Sequence, residues 1–274
     1  MKQILVATDF SACSGNAMEY ALGLAKALRI NVVAIHAIGS NEGVDNSMFN
    51  AIYIEEYYSR KREALKNWVN IYHNRDEYKD VQVDSVCEVG GVSTVLSKYI
   101  AANPVELLVM GSMGTSGIKD LFGTNVNAML EKSKTPILIV PLESKLPANP
   151  VVTLATDFST RLSDEDVVAL NEIINGYQLN NLNVVNVVTN TEQLSSNENG
   201  ETRLQALIPH AELKFHYIKE DNATEGILNF STTTETAILC LVKHHHNIIY
   251  RIFNKSTINQ VMNKSIKAIL VLHE

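Results

Sequence analysis

The chain of 274 residues is about two domains long, because a domain usually holds roughly 100 to 200 residues. Hydrophobic residues make up 46% of the chain and charged residues 19%, which excludes intrinsic disorder as its main state. With 23 Lys and Arg against 30 Asp and Glu, the net charge of -7 argues against a protein that binds nucleic acid or an anionic membrane surface.

No segment of the sequence indicates a membrane span or an export signal. No apolar run approaches the roughly 20 residues that a membrane helix needs. The first residues, MKQILVATDF, are typical of a strand, whereas a signal peptide would begin with a basic and then a long apolar stretch. Three scattered cysteines are too few for a disulfide framework. We therefore expect a cytoplasmic protein with no membrane and no nucleic-acid partner.

The first half alternates short, β-branched apolar segments with segments of helical period. This alternation predicts a parallel sheet whose faces are covered by helices, an α/β fold. The predicted strands are QILVAT, NVVAIHAI, VQVDSVCEV, ELLVM and PILIV, and the predicted helices cover residues 14–28, 52–72, 91–102 and 125–131.

The second half repeats the first. ILVATDFS at 4–11 returns as VTLATDFS at 152–159, and SKTPILIV at 133–140 returns as SIKAILVL at 265–272. A shared start and a shared end in the same order predict a duplicated domain. We place the two domains at residues 1–143 and 150–274. The offsets of the two repeats show that the second copy is shorter, and the missing residues lie between its second and third strands, where they remove most of one helix.

Thr8 and Asp9, after the first predicted strand, are candidate ligand residues. In open α/β sheets, ligands bind at the carboxyl ends of the strands near the point where the strand order reverses. An aspartate there can hold a ribose hydroxyl or, through water, a metal that a phosphate carries. Turn formation and helix capping explain the same residues equally well, and Asp157 and Ser159 repeat the pattern in the second copy.

The stretch MGSMGTSGIKDLFGTN at 110–125, after the fourth predicted strand, is rich in glycine. Closely spaced glycines let backbone N–H groups approach an anion, and the N-terminus of the following helix adds donors and a favourable dipole. The pattern favours phosphate binding, and a surface loop of small residues is the alternative. The candidate residues are Gly111, Gly114, Gly123, Thr124 and Asn125.

With ATDFS after the first strand, VMGSMGTSG after the fourth and SKTPILIVP at its close, the sequence resembles the universal stress protein family in its tandem two-domain form. The resemblance spans essentially the whole chain. It implies two domains of the adenine nucleotide alpha hydrolase-like type, each a five-stranded parallel sheet flanked by helices. It also implies that the domains pair through their last strands, here as an intramolecular pseudo-dimer, and it leaves a further homodimer open.

In the nucleotide-binding branch of the family, the resemblance implies ATP across the carboxyl ends of the strands. The phosphates are held by a motif of the form G-x2-G-x9-G-[ST], which Gly111, Gly114, Gly123 and Thr124 match. Asp9 matches the acidic residue at the first strand, and Ala37, in the second strand, lies where backbone groups meet the adenine. The implied cofactor is therefore ATP or another adenine nucleotide, with Mg²⁺ if it is ATP.

Two departures from the family motif bear on this expectation. Eight residues, 115–122, separate Gly114 from Gly123, where the motif has nine. In the second copy the glycine-rich loop has become VKHHHNII at 242–249, whose bulky side chains block the close backbone approach that a phosphate needs. We interpret His244–His246 as an exposed loop rather than a metal site, because adjacent histidines seldom converge on one ion.

The resemblance therefore implies a stress-response accessory or regulatory protein, and we expect its first domain to bind an adenine nucleotide and its second domain to be structural. We expect no catalytic residues and at most slow hydrolysis, because Asp9 is the only evident general base. The alternative is a protein of the same fold that binds no nucleotide and acts through an unknown protein partner.

Overall fold

The computed structural model describes residues 2–39, 51–113, 123–158, 162–188, 198–243 and 255–273. In the first half, strands and helices alternate as the sequence predicts, and a single turn of 3-10 helix at Asp76–Tyr78 follows the second helix. The elements are β1 (Gln3–Ala7), α1 (Ala12–Leu28), β2 (Asn31–Ile38), α2 (Ala51–His73), β3 (Val83–Val89), α3 (Val92–Ala102), β4 (Val105–Gly111), α4 (Thr124–Lys132) and β5 (Ile137–Val140).

The second half repeats this order with a shortened second helix. Its α6 has 10 residues, whereas the corresponding α2 has 23, which agrees with the predicted loss between the second and third strands. The elements are β6 (Val152–Ala155), α5 (Asp164–Gly176), β7 (Asn181–Val188), α6 (Glu198–Leu207), β8 (Glu212–Lys219), α7 (Ala223–Thr233), β9 (Ile238–Lys243), α8 (Lys255–Lys264) and β10 (Ala268–His273).

All ten strands form one sheet in the order β3-β2-β1-β4-β5-β10-β9-β6-β7-β8. Within each half the neighbouring strands run parallel, and the halves meet where β5 and β10 pair antiparallel, with Ile139 opposite Ile269. The resemblance implies this junction through the last strands. It leaves neither last strand with an open edge, and an open apolar edge would otherwise invite association with other chains.

The core has two layers, one on each face of the sheet. On one face, α1 buries Ala17, Tyr20, Ala21 and Leu24, each no more than 1% exposed, as their helical spacing predicts. This layer continues through both halves, because α1 and α5 pack together across the junction. A Cβ atom on Gly176 of α5 would lie 2.9 Å from Leu28 Cδ1, so the two helices approach closely there. The other face is covered by α3, α4, α7 and α8.

The segment between β5 and β6 is held against α1. Asn16 Nδ2 donates hydrogen bonds to the carbonyl oxygens of Pro141, at 2.7 Å, and Ser144, at 2.9 Å. The hydroxyl of Tyr20 shares a hydrogen bond with the Ser144 hydroxyl, and Leu146 packs against the core. Residues 141–146, the start of the segment that joins β5 to β6, are thus fixed against α1.

Candidate functional site

The predicted ligand residues of the first half lie at one edge of the sheet, where the strand order reverses. The central β1 has β2 on one side and β4 on the other, with Ala7 opposite Ile35 and Val6 opposite Val109. Thr8 and Asp9 follow β1 directly, while Ala37 and Gly111 lie at the ends of the flanking strands. The chain leaves β1 for β2 but reaches β4 only after β3, and in open α/β sheets such a reversal of strand order is where ligands bind.

The residues after β1 form a tight turn that uses the Thr8 side chain. Thr8 is 6% exposed, and its hydroxyl accepts a hydrogen bond from Phe10 N at 3.0 Å and shares another with Ser14 Oγ at 3.0 Å. Asp9 Oδ1 accepts the Ser11 N–H at 3.1 Å. Phe10 has a φ of 65°, a left-handed conformation that is rare for a bulky residue and that these bonds stabilise.

The second half builds the same turn without the glycine-rich loop. Thr156 Oγ1 accepts the Phe158 N–H at 3.0 Å, and Phe158 has a φ of 60°. Because the same turn recurs in the second half, turn formation explains Thr8 and Asp9 without a ligand, which is the alternative given for them above. The Thr8 hydroxyl is therefore engaged in the fold of this segment through Phe10 N and Ser14 Oγ.

A buried histidine that the sequence patterns do not predict as a site residue lies beside this turn. His36 is 7% exposed, its Nδ1 lies 2.8 Å from the Thr8 carbonyl oxygen, and its ring contacts Phe10 with centroids 4.4 Å apart. Because a carbonyl only accepts, Nδ1 carries a proton, and Nε2 is buried with no hydrogen-bond partner among the described residues. In the second half, Asn186 Nδ2 donates to the Thr156 carbonyl oxygen at 2.7 Å. His36 and Asn186 are both the sixth residue of their strands, NVVAIHAI and NLNVVNVV, so the internal repeat is the sequence signal that could have identified them.

Gly111 has a packing role that its sequence pattern does not indicate. A Cβ atom there would lie 3.0 Å from both the carbonyl carbon and the Sγ of Cys13 and 3.1 Å from its carbonyl oxygen, in the first turn of α1. Few real Cβ contacts are that short, so β4 and α1 approach this closely only with glycine at the position. Cys13 Sγ in turn lies 3.4 Å from the Val140 carbonyl oxygen at the end of β5.

The start of α4 lies next to the end of β4. Gly123 N donates to the Ser112 carbonyl oxygen at 3.3 Å, and Gly123, the N-cap residue, has no side chain with which to cap the helix. Thr124 and Asn125 are exposed in its first turn. The amides of this turn are donors at the positive end of a helix dipole, an arrangement suited to an anion. Gly114, the remaining predicted phosphate residue, lies outside the described residues.

The corresponding edge of the second half is more closed. Val242 lies beside Leu272 as Gly111 lies beside Val140, and the Val242 side chain is 4% exposed. The cavity near it, lined by Thr156, Phe158 and Arg203 among others, has a volume of about 20 Å³, which is the size of a water molecule and not of a nucleotide. His244–His246 lie outside the described residues.

The described residues include neither a membrane-spanning helix nor a metal-binding cluster. None of the helices there has the length and apolar character that a membrane crossing needs. No three of the His, Cys, Asp and Glu side chains described are grouped in a way that would hold a metal ion.

Comparison with known proteins identifies the relatives of this fold. The model of the universal stress protein family matches residues 1–141. The universal stress protein YxiE of Bacillus subtilis is 27% identical over 144 residues, which cover 50% of this chain and 97% of YxiE. A crystal structure of a universal stress protein from Archaeoglobus fulgidus is similar with a TM-score of 0.73 at 18% identity, covering 98% of this chain and 97% of that chain. The structural similarity thus extends over both halves.

Proposed function

Because the chain belongs to the universal stress protein family, we propose that its first half binds an adenine nucleotide and that its second half is the structural partner of this domain. The binding domain is residues 1–143 and the structural domain residues 150–274. The protein acts as a stress-response accessory or regulatory protein, in which ligand binding stabilises one conformation or one interface.

The proposal depends on where the predicted site residues lie. Asp9, Ala37, Gly111 and the uncapped start of α4 meet at the sheet edge where strand order reverses, which is where open α/β sheets bind ligands. The exposed first turn of α4, at Thr124 and Asn125, suits the phosphates. Ala37 N and O suit the adenine, and the Asp9 carboxylate suits a ribose hydroxyl or, with ATP, a hydrated Mg²⁺.

The proposed function is binding without efficient turnover. Among the predicted site residues, Asp9 is the sole carboxylate, and its Oδ1 already accepts the Ser11 N–H. A general base must lie within hydrogen-bond reach of the proton that it removes, and a carboxylate engaged in a turn is a poor choice. We therefore assign no catalytic residue.

The two copies of the ATDFS motif supply a matched test. ATP, AMP and GTP are titrated against the full chain by calorimetry, with and without Mg²⁺, for the wild type, Asp9→Ala and Asp157→Ala. We expect Asp9→Ala to weaken ATP binding about tenfold, the scale of one lost hydrogen bond to a charged group. Asp157→Ala, at the same place in the second half, keeps wild-type affinity.

A second candidate function is an interaction protein that binds no nucleotide, favoured by the eight residues between Gly114 and Gly123 where the family motif has nine. No heat of binding at millimolar ATP and no nucleotide released from the denatured protein would exclude the nucleotide proposal. Equal losses in Asp9→Ala and Asp157→Ala would assign both carboxylates to the fold alone.

A further inference from the structure

A lysine of the second half contacts the helix that begins at the candidate phosphate site of the first half. Lys243 is the last residue of β9, and its Nζ donates a hydrogen bond to the carbonyl oxygen of Leu130 in α4. Leu130 belongs to the last turn of that helix, where carbonyl groups lack partners within the helix. The ammonium group thus satisfies an orphan carbonyl at the negative end of the α4 dipole.

The position of Lys243 corresponds to the start of the glycine-rich stretch in the first half. Gly111 lies beside Val140 in the first half, and Val242 lies beside Leu272 in the second, so Lys243 is the counterpart of Ser112. Where the first half has a serine within its glycine-rich stretch, the second half has a partly buried cation directed at the other half.

Helix α4 depends on such contacts for its position. It has nine residues, fewer than an isolated helix needs for stability in water, so its placement comes from tertiary contacts. Its apolar side chains Val126, Met129 and Leu130 are buried against the sheet. Lys132 Nζ donates to Ser93 Oγ at 3.2 Å within the first half, and Lys243 is the contact from the second half.

The two ends of α4 are mechanically coupled. The helix is about 13 Å long, and a shift at its C-terminal end is carried to the Thr124 and Asn125 amides because a hydrogen-bonded helix moves as a unit. Hydrogen bonds to an anion weaken steeply once distance or angle departs from the preferred range. We propose that Lys243 is a positioning residue of the nucleotide site: it holds α4 so that its first turn faces the phosphates.

This inference rests on the proposed function and extends it to the second half. Coupling between two sites is reciprocal. If the Lys243 contact raises the affinity for phosphate by a given factor, a phosphate bound at the first turn of α4 raises the equilibrium constant of the Lys243 contact by the same factor. Nucleotide binding in the first half therefore stabilises the docking of the second half on it.

The test uses the full chain with three variants. Lys243→Met removes the charge and the donor but keeps the length of the side chain. Lys243→Arg keeps the charge and the donor. Lys219→Met makes the same charge change as Lys243→Met at the exposed end of β8, the edge strand of the second half. ATP affinity is measured by calorimetry, and hydrogen–deuterium exchange of the α4 amides is measured without ligand, with the α5 amides as a reference for the intact fold.

We expect Lys243→Met to bind ATP about five- to tenfold more weakly and to exchange its α4 amides faster, with α5 unchanged. Lys243→Arg and Lys219→Met keep wild-type values for both. Wild-type affinity in Lys243→Met, or α4 exchange equal to that of the wild type, overturns the positioning role while leaving the proposed function standing. A wild-type chain that binds no ATP overturns the proposed function itself, and this inference with it.

Discussion

At the scale of single residues, Gly111 combines two requirements. The sequence pattern predicts that it lets a phosphate approach the backbone, and the structure shows that it also lets Cys13 approach β4, since a Cβ atom would lie 3.0 Å from the Cys13 backbone. The packing requirement holds with or without a ligand. A loss of binding in a Gly111 variant would therefore say little about phosphate contacts unless stability is measured too.

We predict that Gly111→Ala destabilises the unliganded protein by about 1–3 kcal/mol, the cost of overpacking a site with no free volume. Urea unfolding measures the change. Gly91→Ala is the matched control, because a Cβ atom on Gly91 has open space around it, and we expect a change within about 0.5 kcal/mol. If the two variants are equally stable, α1 moves away from β4 at no cost and the packing argument fails.

At the scale of secondary-structure elements, the start of α5 is attached to the end of β10. Asp166 is fully buried, and its Oδ2 accepts hydrogen bonds from Ser163 Oγ at 2.6 Å and from His273 N at 2.7 Å. Ser163 Oγ accepts the Asp166 N–H at 3.2 Å, which caps the helix. A single carboxylate thus links the helix cap to a strand in the centre of the ten-stranded sheet.

We predict that Asp166→Ala lowers the free energy of unfolding by about 3 kcal/mol, because it removes the acceptor of the buried His273 N–H and of the partly buried Ser163 hydroxyl. Asp166→Asn, which keeps an acceptor oxygen, loses less. Asp164→Ala, on the exposed side of the same first turn, loses only a few tenths to about 1 kcal/mol of dipole interaction. The urea midpoints of the three variants rank their stabilities. A loss of stability in Asp164→Ala as large as that in Asp166→Ala would contradict the prediction.

At the scale of the whole molecule, the two halves share one sheet and one continuous core layer on the α1 side. Tyr20 of α1 is part of that layer, 1% exposed, and its hydroxyl contacts Ser144 of the segment that joins the halves. Burial raises the pKa of Tyr20 to about 12, although the hydrogen bond with Ser144 acts in the opposite direction. Burial also raises the pKa of Tyr177, which follows the last residue of α5.

The raised pKa values predict a loss of stability in strong base. An unfolded tyrosine ionises near pH 10, so the stabilisation is complete below about pH 10 and is lost as the pH rises toward the folded pKa of about 12. Urea unfolding at pH 8, 10 and 11 measures the decline. Tyr20→Phe is less stable than the wild type at pH 8, because Ser144 loses its partner, but declines less steeply above pH 10. Parallel curves for both proteins would refute the assignment to Tyr20.

Much of the fold follows from the sequence because burial on both faces leaves a clear pattern. The strand β4 is apolar nearly throughout, and α1 shows its buried face at helical spacing. The candidate edge follows as well, since parallel strands separated by helices bring their carboxyl ends together. His36 escaped prediction because a lone histidine in an apolar strand carries no periodic signal, and its role depends on the Thr8 carbonyl oxygen, which lies 28 positions away in the chain.

The sequence by itself determined a duplicated α/β protein with an unequal second copy, because repeated segments and side-chain periodicity are local properties of the chain. Only the tertiary structure decided which atoms meet across long distances: Gly111 against Cys13, Asp166 on the backbone of His273, and Lys243 on α4. These contacts depend on how two helices and two strands pack, and no residue spacing encodes them. The length that first indicated two domains thus corresponds to two halves of a single sheet.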